Sequence, residues 1–131
     1  MATDSPFGSY RETAKVFNFK GLTTMNIDNA KSQMRKGMLE YCVLLLLRRR
    51  SSYASDIIQR LKEADLLVVE GTLYPLLSRL KNDGLLAYEW QESTQGPPRK
   101  YYMLTADGER FLSELDAAWG EIANTVNILK S

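Results

Sequence analysis

Between Leu73 and Trp90 the apolar period of this chain changes from that of a helix to that of a strand, and few small folds accommodate so abrupt a change. Leu73, Leu76, Leu77 and Leu80 recur at the spacing that buries one side of a helix, and the stripe stops before Asn82-Asp83-Gly84. Pro75 fits near the start of that helix, where a missing amide costs little. Leu86, Tyr88 and Trp90 then alternate with Ala87, Glu89 and Gln91, the pattern of a half-buried strand. A second strand is expected over Lys100 to Leu104, after the connector Thr94-Gln95-Gly96-Pro97-Pro98, which its glycine and prolines force to turn.

Two more helices precede the stripe. From about Ser32 an apolar pattern runs through Met34, Met38, Cys42, Leu45 and Leu46 and ends at Arg48, Arg49 and Arg50, whose charge suits a helix C-terminus. Ser51 and Ser52 offer a cap for the next helix, which places Ala54, Ile57, Ile58 and Leu61 inside and Ser55, Gln59, Arg60 and Lys62 outside. Asp65 to Val69 form a short connection. Three short helices and a hairpin are the order of a winged helix-turn-helix. The expected fold class is therefore mainly α with a small β-hairpin wing.

Thr105 can cap one last helix, with Asp107 and Glu109 in its positive first turn. Its apolar residues Leu112, Leu115, Trp119, Ile122, Val126 and Leu129 follow a heptad rhythm, which suits pairing with another helix; packing on its own domain is the alternative. The expected organisation is an N-terminal extension over residues 1–30, a winged helix-turn-helix domain over 31–104, and a C-terminal dimerisation helix over 105–131.

Composition narrows the function. The 131 residues, 44% of them hydrophobic, suffice for one core. Histidine is absent, which removes the commonest general base and transition-metal ligand, so neither an enzyme nor a bound metal or cofactor is expected. Cys42 is the only cysteine, so no internal disulfide forms. Gly71, Gly84 and Gly96 stand apart and make no phosphate loop. With no apolar run long enough to span a membrane and no secretory leader pattern, a cytoplasmic protein without a membrane partner is expected. Charge is unevenly spread: twelve basic against eight acidic residues from Lys31 to Lys100, then two against five from Tyr101 to Ser131. A basic module followed by an acidic helix points to a polyanion at the first.

The outward face of the third helix carries Thr72, Tyr74, Pro75, Ser78, Arg79, Lys81 and Asn82, a mixture of hydroxyls, an amide and cations of the kind that meets base edges and phosphates. An ordinary solvated face has the same composition. Arg99 and Lys100 are expected beside the tip of the hairpin.

The run Val69-Glu70-Gly71-Thr72-Leu73-Tyr74-Pro75-Leu76-Leu77-Ser78-Arg79-Leu80, with Gly96-Pro97-Pro98-Arg99-Lys100-Tyr101-Tyr102 and Leu104-Thr105-Ala106-Asp107-Gly108, closely resembles the PadR family of transcriptional regulators, in its short form with one C-terminal helix. The resemblance covers about Met25 to Leu129, so the residues before Met25 read as an extension. It implies a homodimer that represses its targets, placing the third helix in the major groove of double-stranded DNA and the wing along the backbone or minor groove. The family's recognition motif falls on Thr72, Tyr74, Pro75, Ser78 and Arg79, and its wing motif on Gly96, Pro97, Pro98, Arg99 and Lys100; Tyr74 and Pro75 can equally brace the helix start. Trp119 resembles a tryptophan that, in small regulators of this family, lines a pocket between subunits for planar aromatic effectors. Its alternative role is to fill the space between the last helix and the first. A winged-helix module that binds an acidic protein is the rival reading.

Overall fold

The computed structural model describes residues 26–131, so the extension expected before Met25 lies outside the described residues. Along the chain come α1 (Ile27–Arg49), α2 (Ala54–Glu63), α3 (Glu70–Asn82), β1 (Leu86–Ser93), β2 (Gly96–Leu104) and α4 (Ala106–Lys130). This is the expected order of three helices, a hairpin and a long last helix. The chain divides into two units between Met38 and Leu39. In the first, Asn26 Oδ1 accepts hydrogen bonds from the amides of Asp28 at 2.7 Å and Asn29 at 3.3 Å. This side-chain cap starts α1 at Ile27, several residues earlier than the expected Ser32. Met34, expected on the buried face, is exposed.

The second unit is built round one apolar core. Leu39, Val43, Leu44 and Leu47 of α1 meet Ala54, Ile57 and Leu61 of α2, the four leucines of α3, Leu86, Tyr102 and Leu112. Cys42, Leu45 and Leu46, the face expected to be buried in α1, lie only at its margin. The stretch from Tyr41 to Leu47 is apolar all the way round, so its composition does not set which side turns inward. Partial burial pushes the Cys42 thiol pKa up, which keeps it protonated and inert.

Ser51 and Ser52 do not cap α2. The N-cap position belongs to Tyr53, which makes no side-chain capping bond. Ser52 is fully buried and pairs with β2: its amide donates to the Tyr102 carbonyl at 3.1 Å, and the Tyr102 amide donates back at 2.8 Å. Its Oγ accepts from Arg60 Nη1 at 2.7 Å. Arg60, expected outside, therefore turns inward, with Nη2 3.3 Å from the Leu46 carbonyl, and desolvation lowers its pKa.

The corners that follow α2 and α3 both close with paired backbone bonds. After α2, the amides of Asp65 and Leu66 donate to the carbonyls of Lys62 and Leu61, with Asp65 at φ 66°. After α3, those of Gly84 and Leu85 donate to Lys81 and Leu80, with Gly84 at φ 81°. These are Schellman closures, and a glycine at the second removes the strain of the left-handed conformation. α3 begins at Glu70, so Pro75 sits in its second turn and not at its start. The bond it cannot donate would have gone to the carbonyl of Gly71, which is exposed and can be hydrated.

The hairpin is antiparallel, pairing Leu86 with Leu104, Tyr88 with Tyr102, Trp90 with Lys100 and Gln91 with Arg99. Between Gln91 and Ser93 the register shifts, leaving Pro97 and Pro98 opposite Glu92. The prolines are thus placed at a bulge, where no ladder amide is required. β2 consequently starts at Gly96, earlier than expected, and only Thr94 and Gln95 make the tip.

Thr105 caps α4 as expected: its Oγ1 accepts from the Gly108 amide at 3.0 Å and donates to the Gly84 carbonyl at 2.7 Å. The helix start presses so closely on the preceding corner that a Cβ at Gly108 would stand 2.1 Å from the Leu85 carbonyl oxygen. Among the described residues no helix is long and apolar enough to cross a membrane.

Candidate nucleic-acid interface

With four leucines turned inward, α3 presents Thr72, Tyr74, Pro75, Ser78, Arg79, Lys81 and Asn82 to solvent, so the periodicity placed each of them correctly. They are not equally available. Arg79 Nη2 donates to Glu40 Oε1 of α1 at 2.6 Å, a helix-to-helix tie. Lys81 Nζ leans over the Tyr88 ring, 5.7 Å from its centroid, at the root of the hairpin. Among the described residues, Thr72, Tyr74, Pro75, Ser78 and Asn82 are left as the face without charged partners.

The hairpin supplies the second element, though not as expected. Its tip, Thr94 and Gln95, bears no charge, and the Gln95 amide donates to Ser93 Oγ at 3.3 Å. Gly96 flanks that tip, opposite Ser93. Arg99 and Lys100, expected beside the tip, stand further back, where the bulge has shifted them relative to β1. Arg99 lies over the Tyr53 ring at 4.3 Å, and Lys100 Nζ lies 4.5 Å from the Tyr88 centroid and 5.4 Å from that of Trp90. These rings brace one another edge-on, Tyr53 with Tyr101 at 5.2 Å and Tyr88 with Trp90 at 6.3 Å. An aromatic face attracts a cation electrostatically and restricts it without neutralising it.

The two elements meet across a cleft of about 380 Å³. Tyr74 and Ser78 of α3, Trp90, Arg99 and Lys100 of the hairpin, and Tyr53 and Ser55 at the start of α2 border it. Tyr53, Ser55 and Trp90 border the cleft without having been expected there. The first two come near the hairpin only through the Ser52–Tyr102 pairing, and no local pattern carries that signal; Trp90 was noted only as a strand residue.

Along α4 the heptad residues separate. Leu112 is fully buried in the chain's own core and Leu115 packs against that core, so Leu112 has no surface to offer a second helix, which corrects its expected place on the seam. Trp119 is 45% exposed and lies outside the core; Ile122, Val126 and Leu129 are exposed with it. Asp116, one turn before Trp119, accepts from Tyr41 Oη at 2.5 Å and from Arg48 Nη1 at 3.1 Å, which locks α4 to α1. Both bonds favour the carboxylate and hold its pKa below the ordinary value, Tyr41 having the larger effect, while the phenol is raised in turn.

Comparison with known proteins agrees with this geometry. Residues 43–114 match the model of the transcriptional regulator PadR-like family. A PadR-like transcription factor from Bacteroides fragilis is 72% identical; the match covers 77% of this chain and 98% of that one, with a TM-score of 0.66. A PadR family transcriptional regulator from Eggerthella lenta is 35% identical, over 79% of this chain and 90% of its own, with a TM-score of 0.73. A transcriptional regulator of Mycobacterium tuberculosis is 41% identical over 68 residues, 52% of this chain and 63% of its own length.

Proposed function

Because the chain belongs to the PadR-like family of transcriptional regulators, we propose that it represses its target genes as a homodimer, reading double-stranded DNA in the major groove through α3. The family is one of regulators rather than enzymes. The observation that carries the reading is the join of two features at one cleft. An exposed face of Thr72, Tyr74, Pro75 and Ser78 sits on a helix anchored by buried leucines, and two cations are braced beside it. Hydroxyls near base edges confer choice, and cations near phosphates confer affinity.

Dimerisation rests on the strip Trp119, Ile122, Val126 and Leu129, whose exposure in a single chain is unfavourable unless a second α4 covers it. Trp119, half exposed within that strip, is where a planar aromatic compound would stack between subunits and release the repressor. Titrating planar dyes against tryptophan fluorescence, with Trp90→Phe to isolate the signal, tests that part; no quenching and unchanged DNA affinity would remove it.

The direct test of DNA binding is the affinity of the purified protein for selected duplexes across a series of salt concentrations. Contacts to phosphates release counterions, so affinity falls steeply and linearly on a logarithmic plot. An acidic protein partner, without DNA binding, is the reading to adopt if no duplex is held at low salt.

A further inference from the structure

The angle at which α4 leaves the core is governed by side chains of α1. The helix is held at its start by the Thr105 cap and by the close approach of Gly108 to Leu85, and one turn later by the buried Leu112. Gly108 and Leu112 lie only about 6 Å apart along the axis, a short base for a helix that runs on to Lys130. Apolar packing is non-directional, so Leu112 and Leu115 leave the angle of such a rod loosely fixed. Asp116 lengthens the base to about 12 Å, and it does so with directional bonds: Oδ1 accepts from Tyr41 Oη and Oδ2 from Arg48 Nη1. The Tyr41 bond is partly buried, whereas the Arg48 pair is exposed and screened by water, so Tyr41 carries most of the restraint. Among the described residues, no side-chain hydrogen bond or ion pair ties α4 to the rest of the chain beyond Asp116.

The same stretch of α1 holds the third helix. Glu40, the residue before Tyr41, accepts from Arg79 of α3. α1 thus grips α3 with one residue and α4 with the next, so the direction of the last helix is set relative to α3. Trp119 follows Asp116 by one turn and opens the exposed strip that runs to Leu129. From Asp116 to Leu129 the lever is about 20 Å long, so a swing of about 10° at the latch moves one end against the other by about 3 Å, close to one base-pair step. Two reading heads joined through that strip meet their half-sites at a separation the swing decides. We propose that the Tyr41–Asp116–Arg48 latch determines which half-site spacing the protein accepts, with Tyr41 and Asp116 as positioning residues that fix α4 to the reading head. Neither borders the cleft between α3 and the hairpin. The inference rests on the homodimer reading above and names the residues that make the dimer selective for spacing.

The experiment uses the full chain, which selects duplexes from a random pool. The selected pair of half-sites is remade with one or two base pairs added or removed between them, and as a single half-site. One added base pair moves a half-site by about 3.4 Å and turns it by about 35°; a rigid dimer cannot follow, and a loosened one can. Fluorescence anisotropy measures each duplex with parental protein, Tyr41→Phe, Asp116→Ala and the two together. Parental protein is expected to prefer its selected spacing. Each variant is expected to lose about three- to tenfold of that preference, the worth of one hydrogen bond of ordinary net strength. Affinity for the single half-site should stay parental, and adding Tyr41→Phe to Asp116→Ala should cost nothing more. A second measurement dispenses with DNA. Lys62 is exposed on α2, and spin labels on chains carrying Cys42→Ala and Lys62→Cys report the separation of the two heads by dipolar coupling. Tyr41→Phe should broaden that separation.

Parental spacing preference and an unbroadened separation in the variants would overturn the role of the latch. An equal loss on the spaced and single half-site duplexes would also overturn it, since that outcome reports stability alone. So would a parental dimer indifferent to spacing. Should Asp116→Ala fail to fold, Tyr41→Phe, which keeps the ring, decides alone. A parental chain that sediments as a monomer would defeat the homodimer reading as well, an outcome separate from all of these.

Discussion

Replacing Gly108 by alanine should destabilise the protein, against the sign that helix propensity alone gives. Gly108 lies in the first turn of α4, and exchanging glycine for alanine in a helix ordinarily stabilises by up to about 1 kcal/mol. Here the new methyl would stand 2.1 Å from the Leu85 carbonyl oxygen and 3.0 Å from Leu104 Cδ2. Carbon and oxygen approach no closer than about 3.3 Å even in a favourable contact, so the helix start must lift by roughly an ångström. Leu85 cannot retreat freely, because its carbonyl also accepts from the Thr105 amide at 3.1 Å and its own amide closes the corner onto Leu80. Lifting the helix strains the Thr105 cap, whose loss costs about 1 kcal/mol, and disturbs the buried Leu112; overpacking of this kind costs about 1 to 3 kcal/mol. Offsetting these by the propensity gain leaves a net loss of about 1 to 3 kcal/mol. Urea unfolding followed by far-ultraviolet ellipticity, at one fixed protein concentration, measures it. Gly120→Ala is the control: its added Cβ meets no atom within 4 Å, and it should stabilise by up to about 1 kcal/mol. If Gly108→Ala proves as stable as Gly120→Ala, the close approach of α4 to the corner is wrong.

Leu112→Ala should cost about 2 to 5 kcal/mol in the same unfolding experiment, as a fully buried core leucine does; a cost confined to dimer dissociation would return Leu112 to the seam. Ile122→Glu, by contrast, is expected to lower the sedimentation mass to that of one chain while leaving helicity intact. Asp116 is held as a carboxylate by Tyr41 and Arg48, so its depressed pKa contributes stability that is present above the unfolded value, near 3.9, and lost as pH falls through the folded one. Tyr41→Phe should therefore move the acid-unfolding limb to higher pH, and Asp116→Asn should make that limb less steep; unchanged curves for both would refute the latch.

The parts of the fold that were legible in the sequence are those fixed by a local period. The leucines of α3 state their own face, because they recur at the helical spacing with no leucine, isoleucine or valine on the opposite side, and Thr105 states the start of α4. The face of α1 was not legible, since a run apolar on all sides buries whichever residues its neighbours reach. Ser52 looked like a cap because serine bonds to a helix start in isolation. In the folded chain its backbone is taken by Tyr102, fifty residues away, and its hydroxyl by Arg60. Arg60 and Arg79 read as outward residues on a helical wheel, yet their length lets the guanidinium reach Ser52 in one case and Glu40 in the other. For the candidate site, the residue types of α3 and the hairpin were legible. Their partners were not, because Tyr53 meets Arg99 only after α2 and β2 are joined. The prolines of the hairpin read as a turn, whereas the register makes them a bulge, and that difference moves the two cations from the tip to the cleft.

The most direct measurement compares how Ser78→Ala and the Arg99→Ala, Lys100→Ala chain discriminate a selected duplex from a shuffled one of equal length and composition. If α3 reads bases and the hairpin holds the backbone, Ser78→Ala narrows the gap between the two duplexes by about 1 to 3 kcal/mol, while the hairpin variant weakens both equally and flattens the salt slope. Parental affinity, discrimination and slope in both variants would show that this protein does not meet DNA through α3 and its wing.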